Sequence, residues 1–193
     1  MRLYTYIVHF DGGFAPCVSR SICTLACCKP RIRATAKYSD WVAGTTPKEH
    51  DSGQLIYLMR VERAFTFAEY YRDETLRSRI DNIYRPKADS GYAQQRNNFH
   101  GPDSIRKDLC VDRVLVSNKF VYFGEKAPFI PEDFLEFVPR GRGHRVFGNS
   151  LGEPDDRLAN KKIKSFVRWA FSGGAGKKGR PFDQPCRHHS CST

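Results

Sequence analysis

Asp11, Asp81 and His100 are the side chains best suited to moving protons, because carboxylates and imidazoles with a tuned pKa do general acid/base work. Asp11 follows an aromatic run and precedes Gly12-Gly13, a place from which a side chain can face a cleft. Asp and His in loops also serve as plain turn formers, and no Ser/His/Asp or Cys/His order stands out along the chain. Lys29, Arg31 and Arg33 flank Pro30 and would hold an anion such as a phosphate if the helix that Pro30 opens points its start at a pocket; a solvated face is the plain alternative. The turn from Arg140 to Arg145, with Arg142, Gly143 and His144, suits a phosphate clamp or a solvated loop. Asp40-Trp41 pairs a carboxylate that can accept from a base edge with an indole that can stack on a base; core packing is the commoner fate of a strand tryptophan.

Metal chemistry has weaker support. Cys17, Cys23, Cys27 and Cys28 face Cys186, His188, His189 and Cys191 across the length of the chain. Paired C-x2-C spacing never appears twice, so small buried thiols are expected, with no metal and no cofactor. The run from Phe171 to Arg180 is no phosphate loop, because Lys178 stands where a hydroxyl must follow the lysine.

The elements that must position these groups alternate between clear and irregular. Leu3 to Phe10, Trp41 to Thr45 and Leu55 to Glu62 read as strands, with a polar hairpin loop from Thr46 to Gly53. Pro30 opens a short helix to about Lys37, and Phe67 to Arg77 reads as a helix. Asp81 to Asp108 is a long polar loop, a kind of segment that is functional or disordered. Arg113 to Val116 and Phe120 to Phe123 read as an antiparallel hairpin turned by Ser117-Asn118-Lys119. Pro131-Glu132-Asp133 suits a helix start. Leu158 to Phe171 is the clearest helix, with Ala159, Ile163, Phe166, Val167 and Ala170 on one stripe.

The chain has 193 residues and a net charge of +11, which favours a polyanionic partner. From Arg140 onward there are 12 Lys or Arg against 4 Asp or Glu, so the tail is the basic part. No stretch has the apolar length of a membrane span, and the start of the chain lacks a signal-peptide pattern. A reducing cytoplasm with free thiols is expected for the seven cysteines.

Several separated motifs together resemble the second type of nucleotide modification associated domain. They are Asp11 to Pro16, Thr24-Leu25-Ala26, Cys28-Lys29-Pro30, Ile32-Arg33, Asp40-Trp41 with Gly44, Asp81 to Tyr84, Asp112 to Gly124 and Gly143-His144. Ser39 stands where the resemblance implies glycine. The resemblance covers about residues 3 to 146 and implies a setting in bacterial or phage systems that modify or restrict DNA bases. The layout is also similar to the PUA-like EVE and ASCH domains.

The expected fold is therefore α+β. It has a curved, mostly antiparallel sheet or a partly open PUA-like barrel, with peripheral helices and a basic C-terminal helical tail. Residues 1–146 form the domain and 147–193 the tail. The expected function is recognition of a nucleotide or a modified nucleobase, in DNA by preference. The base would stack on Phe14, Trp41 or Tyr84, Asp40, Asn82 or His100 would read its edge, and Lys29, Arg33 and Arg142 would hold phosphates. The alternatives are an enzyme using Asp11, Asp81 or His100, and an adaptor that docks a DNA-modifying or restriction enzyme.

Overall fold

The computed structural model describes residues 1–47, 53–141, 143–149 and 157–183. Two sheets stack face to face. In the larger, β1 (Leu3–Ile7) runs parallel to β4 (Trp41–Thr45) and antiparallel to β11 (His144–Phe147). β4 continues antiparallel to β5 (Leu55–Arg60), as expected of a hairpin, and β5 pairs with β10 (Phe120–Tyr122). β12 (Gly176–Lys177) closes the far edge, parallel to β10. The second sheet is antiparallel, in the order β2 (Cys17–Ser19), β3 (Ile22–Leu25), β9 (Val114–Ser117), β6 (Arg63–Phe65). The chain is thus α+β with mixed and antiparallel sheets, and its larger sheet stays open rather than closing into a barrel.

Alternation along the strands sorts side chains into layers, because successive residues of a strand point to opposite faces. Tyr4, Val42, Met59 and Tyr122 face the second sheet and meet Leu25 and Leu115 in the central core. Leu3, Trp41, Ala43, Leu58 and Val121 point the other way, onto α4 (Arg157–Ala170). That helix buries Ile163, Phe166 and Ala170, three members of the apolar stripe expected from the sequence. Val114 and Val116 point outward from the second sheet, onto α2 (Phe67–Arg72) and the buried face of the segment that follows it.

Three local expectations are corrected. Val114–Ser117 and Phe120–Tyr122 are not a hairpin, since they belong to different sheets. The Glu62 carboxylate accepts the N–H groups of Asn118 and Lys119 at 2.7 and 3.0 Å, so the turn is a corner between sheets. The helix expected to reach Arg77 ends at Arg72. Asp73 turns its carboxylate onto the backbone and hydroxyl of Thr75 at 2.9 and 2.6 Å, a local bond that competes with continued helix. The helix expected after Pro131 is a 3-10 run, Glu132–Phe137.

The long segment after Asp81 is ordered. It forms a hairpin of β7 (Tyr84–Pro86) and β8 (Tyr92–Gln94), then a short α3 (Ile105–Leu109). α1 (Pro30–Thr35) follows β3 and completes the elements around the site.

Candidate active site

β3 ends at Leu25, and the chain then makes a sharp reversal into α1. Cys28 and Lys29 carry that reversal with φ of 61° and 39°, both in the left-handed region. Each such non-glycine residue costs about 1–2 kcal/mol, and backbone strain of this kind clusters at functional sites. Arg33, fully buried, holds the reversal in place. Its guanidinium donates to the carbonyls of Cys28, Asp108, Val111 and Arg113 at 2.6–2.9 Å, tying the start of α1 to the end of α3.

This clamp brings a thiol, an imidazole and a carboxylate into line. The Cys28 sulfur lies 3.3 Å from Nε2 of His100, and Nδ1 of His100 lies 2.5 Å from Oδ2 of Asp108. Asp108 is fully buried and spends its other positions on the Cys28 N–H at 3.0 Å and the Tyr84 hydroxyl at 2.9 Å. Asn97 fixes the loop from below, its side-chain oxygen accepting the N–H groups of Phe99 and His100 at 2.9 and 2.7 Å. Burial works against a charged His100, but the Asp108 carboxylate and the Cys28 sulfur outweigh it and hold the imidazole pKa up at about 9. Burial also opposes the Asp108 charge, yet His100, the Cys28 N–H and Tyr84 keep its carboxyl below the usual range.

Two cavities open on this line, and Cys28 and Lys29 line both. One, of about 480 Å³, has an aromatic wall in which Phe14 and Phe99 stack with centroids 4.6 Å apart. The Phe14 ring also leans on the His100 imidazole at 4.8 Å. The other, of about 600 Å³, is lined by Lys29, Arg31, Lys107 and His144, with no carboxylate among the described residues. Burial, reinforced by Arg31 and Lys29, pushes His144 down, and burial pushes Lys29 down. The Lys29 ammonium lies 4.4 Å from the centre of the Tyr6 ring.

Of the residues singled out from the sequence, Phe14, Cys28, Lys29, Arg31, His100 and His144 meet at these cavities, with Gly143 beside His144. The others lie elsewhere. Trp41 is in the core beneath α4, edge-on to Phe171 at 5.7 Å. Asp40 accepts the N–H groups of Arg2 and Lys37 and pairs with the Arg2 side chain. The Asn82 amide donates to the carbonyls of Tyr70 and Leu76. Tyr84 is buried behind Asp108, and Arg33 bonds to carbonyls rather than facing a cavity. Arg142 and the Cys186–Cys191 cluster lie outside the described residues.

The set Asp11, Asp81 and His100 is not assembled. Asp11 accepts the Tyr122 hydroxyl at 2.7 Å, and Asp81 binds Thr24, Tyr70 and Arg79 in the core. Cys28 and Asp108 take their places beside His100. Cys27, His100 and Asp108 also present three metal-capable atoms within 4.8 Å of one another. His100 and Asp108 bond directly to each other there, and burial pushes the Cys27 thiol well above its usual range.

Fold and site together define an open α+β protein with a thiol–imidazole–carboxylate line at the boundary between an aromatic and a cationic cavity. The chain belongs to the nucleotide modification associated domain 2 family, whose sequence model matches residues 1–188. That span includes α4 and β12. No curated protein and no solved structure matches the chain. No helix among the described residues is long and apolar enough to cross a membrane.

Proposed function

We propose that this protein is an enzyme that modifies or processes a nucleotide or nucleobase, with Cys28 as the nucleophile. The observation that carries the reading is the Cys28–His100–Asp108 line opening on two cavities. A nucleophilic thiol is paired with an imidazole within contact distance, and a carboxylate behind the ring holds it in orientation. His100 exchanges the proton, and Asp108 positions His100 without touching substrate. The aromatic wall suits a base and the cationic wall suits a phosphate. A net charge of +11 favours nucleic acid over a free nucleotide, with DNA the first candidate in view of the family. In a reducing cytoplasm Cys28 would remain a free thiol.

Recognition without reaction is the second reading, favoured by the Phe14–Phe99 stack, which would hold a base whether or not sulfur attacks it. Incubation with DNA and with nucleotides, followed by mass analysis of the recovered nucleosides, separates the two. Altered nucleosides with the wild-type protein, and none with Cys28→Ala, support the enzyme. Selective binding that survives Cys28→Ala, with nucleosides unchanged throughout, supports the reader.

A further inference from the structure

Cys28 and Lys29 are the residues common to the aromatic and cationic cavities. A ligand that fills both must lay its middle across them. In a nucleotide with its base against Phe14 and Phe99 and its phosphate among Lys29, Arg31 and Lys107, the middle is the sugar and the ring edge that faces the phosphate. In a pyrimidine that edge carries C6, an electrophilic carbon conjugated to the C4 carbonyl or its amino equivalent. In a purine it carries C8, which has no carbonyl to receive an electron pair.

A second observation narrows the chemistry. Acyl transfer needs hydrogen-bond donors aimed at the developing oxyanion, and the nucleophile's own N–H is a common one. Here the Cys28 N–H is spent on Oδ1 of Asp108 at 3.0 Å. Addition to a ring that carries its own electron sink makes no such demand.

We propose that the cleft takes a pyrimidine 5′-nucleotide unit and that the Cys28 sulfur adds to C6 of its ring. The assignment rests on the reading of Cys28 as a nucleophile. The S–C6 bond forms as the C5–C6 π bond breaks. The electron pair passes through C5 to the C4 oxygen or nitrogen, and a proton is delivered to C5 by the His100 imidazolium or by water. Loss of a proton from C5 and expulsion of the thiolate reverse the step. The cycle consumes nothing, and its trace is exchange of the C5 hydrogen with solvent.

The test follows the H5 proton signal of deoxyuridine and deoxycytidine 5′-monophosphates in deuterated water with the full chain, alongside the unphosphorylated nucleosides and a short single-stranded oligonucleotide. Intact-protein mass after brief iodoacetamide treatment reports separately on Cys28 as a nucleophile. The expected result is H5 exchange in a monophosphate or the oligonucleotide at least tenfold faster than with Cys28→Ala, and at least tenfold slower in the nucleosides. Selective alkylation of Cys28 that depends on His100, with no exchange in any probe, overturns the pyrimidine assignment and leaves the nucleophile standing. Exchange indifferent to phosphate overturns the placement of the cationic cavity. A Cys28 that alkylates no faster than Cys110, which is exposed, overturns both.

Discussion

Asp108 holds Cys28 by its backbone, Oδ1 of the carboxylate accepting the Cys28 N–H at 3.0 Å, while its other oxygen accepts from His100. One buried group therefore fixes both the strained reversal that presents the sulfur and the imidazole that faces it. Asp108→Asn keeps the shape but sets an NH2 group against a donor. The expected loss of stability is about 1–3 kcal/mol, the cost of a buried group left unsatisfied. Cys28 alkylation in the folded protein should slow by about tenfold or more, since a mis-oriented imidazole is a poor partner. Denaturant melts and timed alkylation measure the two effects separately. An unchanged alkylation rate would reduce Asp108 to a structural role.

The His100 pKa of about 9, against an ordinary 6.5, links stability to pH. A group whose folded pKa is raised contributes stability that is fully present below its unfolded pKa and is lost as pH rises through the folded value. The melting temperature of the wild type relative to His100→Gln should therefore be highest near pH 6 and fall between about pH 6.5 and 9. Asp108, held below its usual range, acts in the opposite direction and only in acid. A difference that is flat across that window, or that grows with pH, would mean that His100 is not held as a cation.

Asp81 is fully buried against Arg79, with Nε 3.6 Å from its carboxylate, and takes the Tyr70 hydroxyl at 2.8 Å. Arg79 in turn donates to the carbonyl of Cys17 and the hydroxyl of Thr24. Removing one partner of a buried ion pair leaves the other uncompensated, so Asp81→Ala should cost about 3–5 kcal/mol. The folded fraction should still alkylate Cys28 at the wild-type rate. Slower alkylation without loss of stability would return Asp81 to the acid/base role its loop position suggests.

Elements that declare themselves locally were legible in the chain. The alternation of Leu3 with Tyr4 and of Trp41, Val42 and Ala43 sends side chains to two cores, and the stripe on α4 is the face that meets the sheet. Ser39, where the resemblance implies glycine, has a φ of 72° and a hydroxyl that accepts from Arg60 at 2.7 Å. The corner at Ser117–Lys119 was not legible, because a turn signal is the same whether its strands pair or part. Glu62, far back in sequence, decides the matter. The site divides the same way. His100, Lys29 and Phe14 stand out by type and setting. Cys28 and Asp108 meet across eighty residues only because Arg33, an apparent phosphate ligand, binds the carbonyls on both sides of the gap.

Phe14 and Trp41 separate recognition from packing. Both rings are buried, but Phe14 lines the 480 Å³ cavity as the backing of Phe99, whereas Trp41 is covered by α4 and Phe171. A base held against an aromatic face gains about 1–3 kcal/mol from stacking. Phe14→Leu retains apolar bulk but removes the ring on which Phe99 stacks, so the aromatic wall loses its set and affinity for a nucleotide should fall about tenfold, from the lower part of that range. Trp41→Phe leaves a smaller ring beneath α4 and should cost stability, as large-to-small core changes do, with nucleotide affinity of the folded protein unchanged. Calorimetric titration of both variants, beside their denaturant melts, tests the pair. Weaker binding by a fully folded Trp41→Phe protein, with Phe14→Leu unaffected, would move the base from the Cys28 cleft to the α4 face and take the thiol out of the reaction.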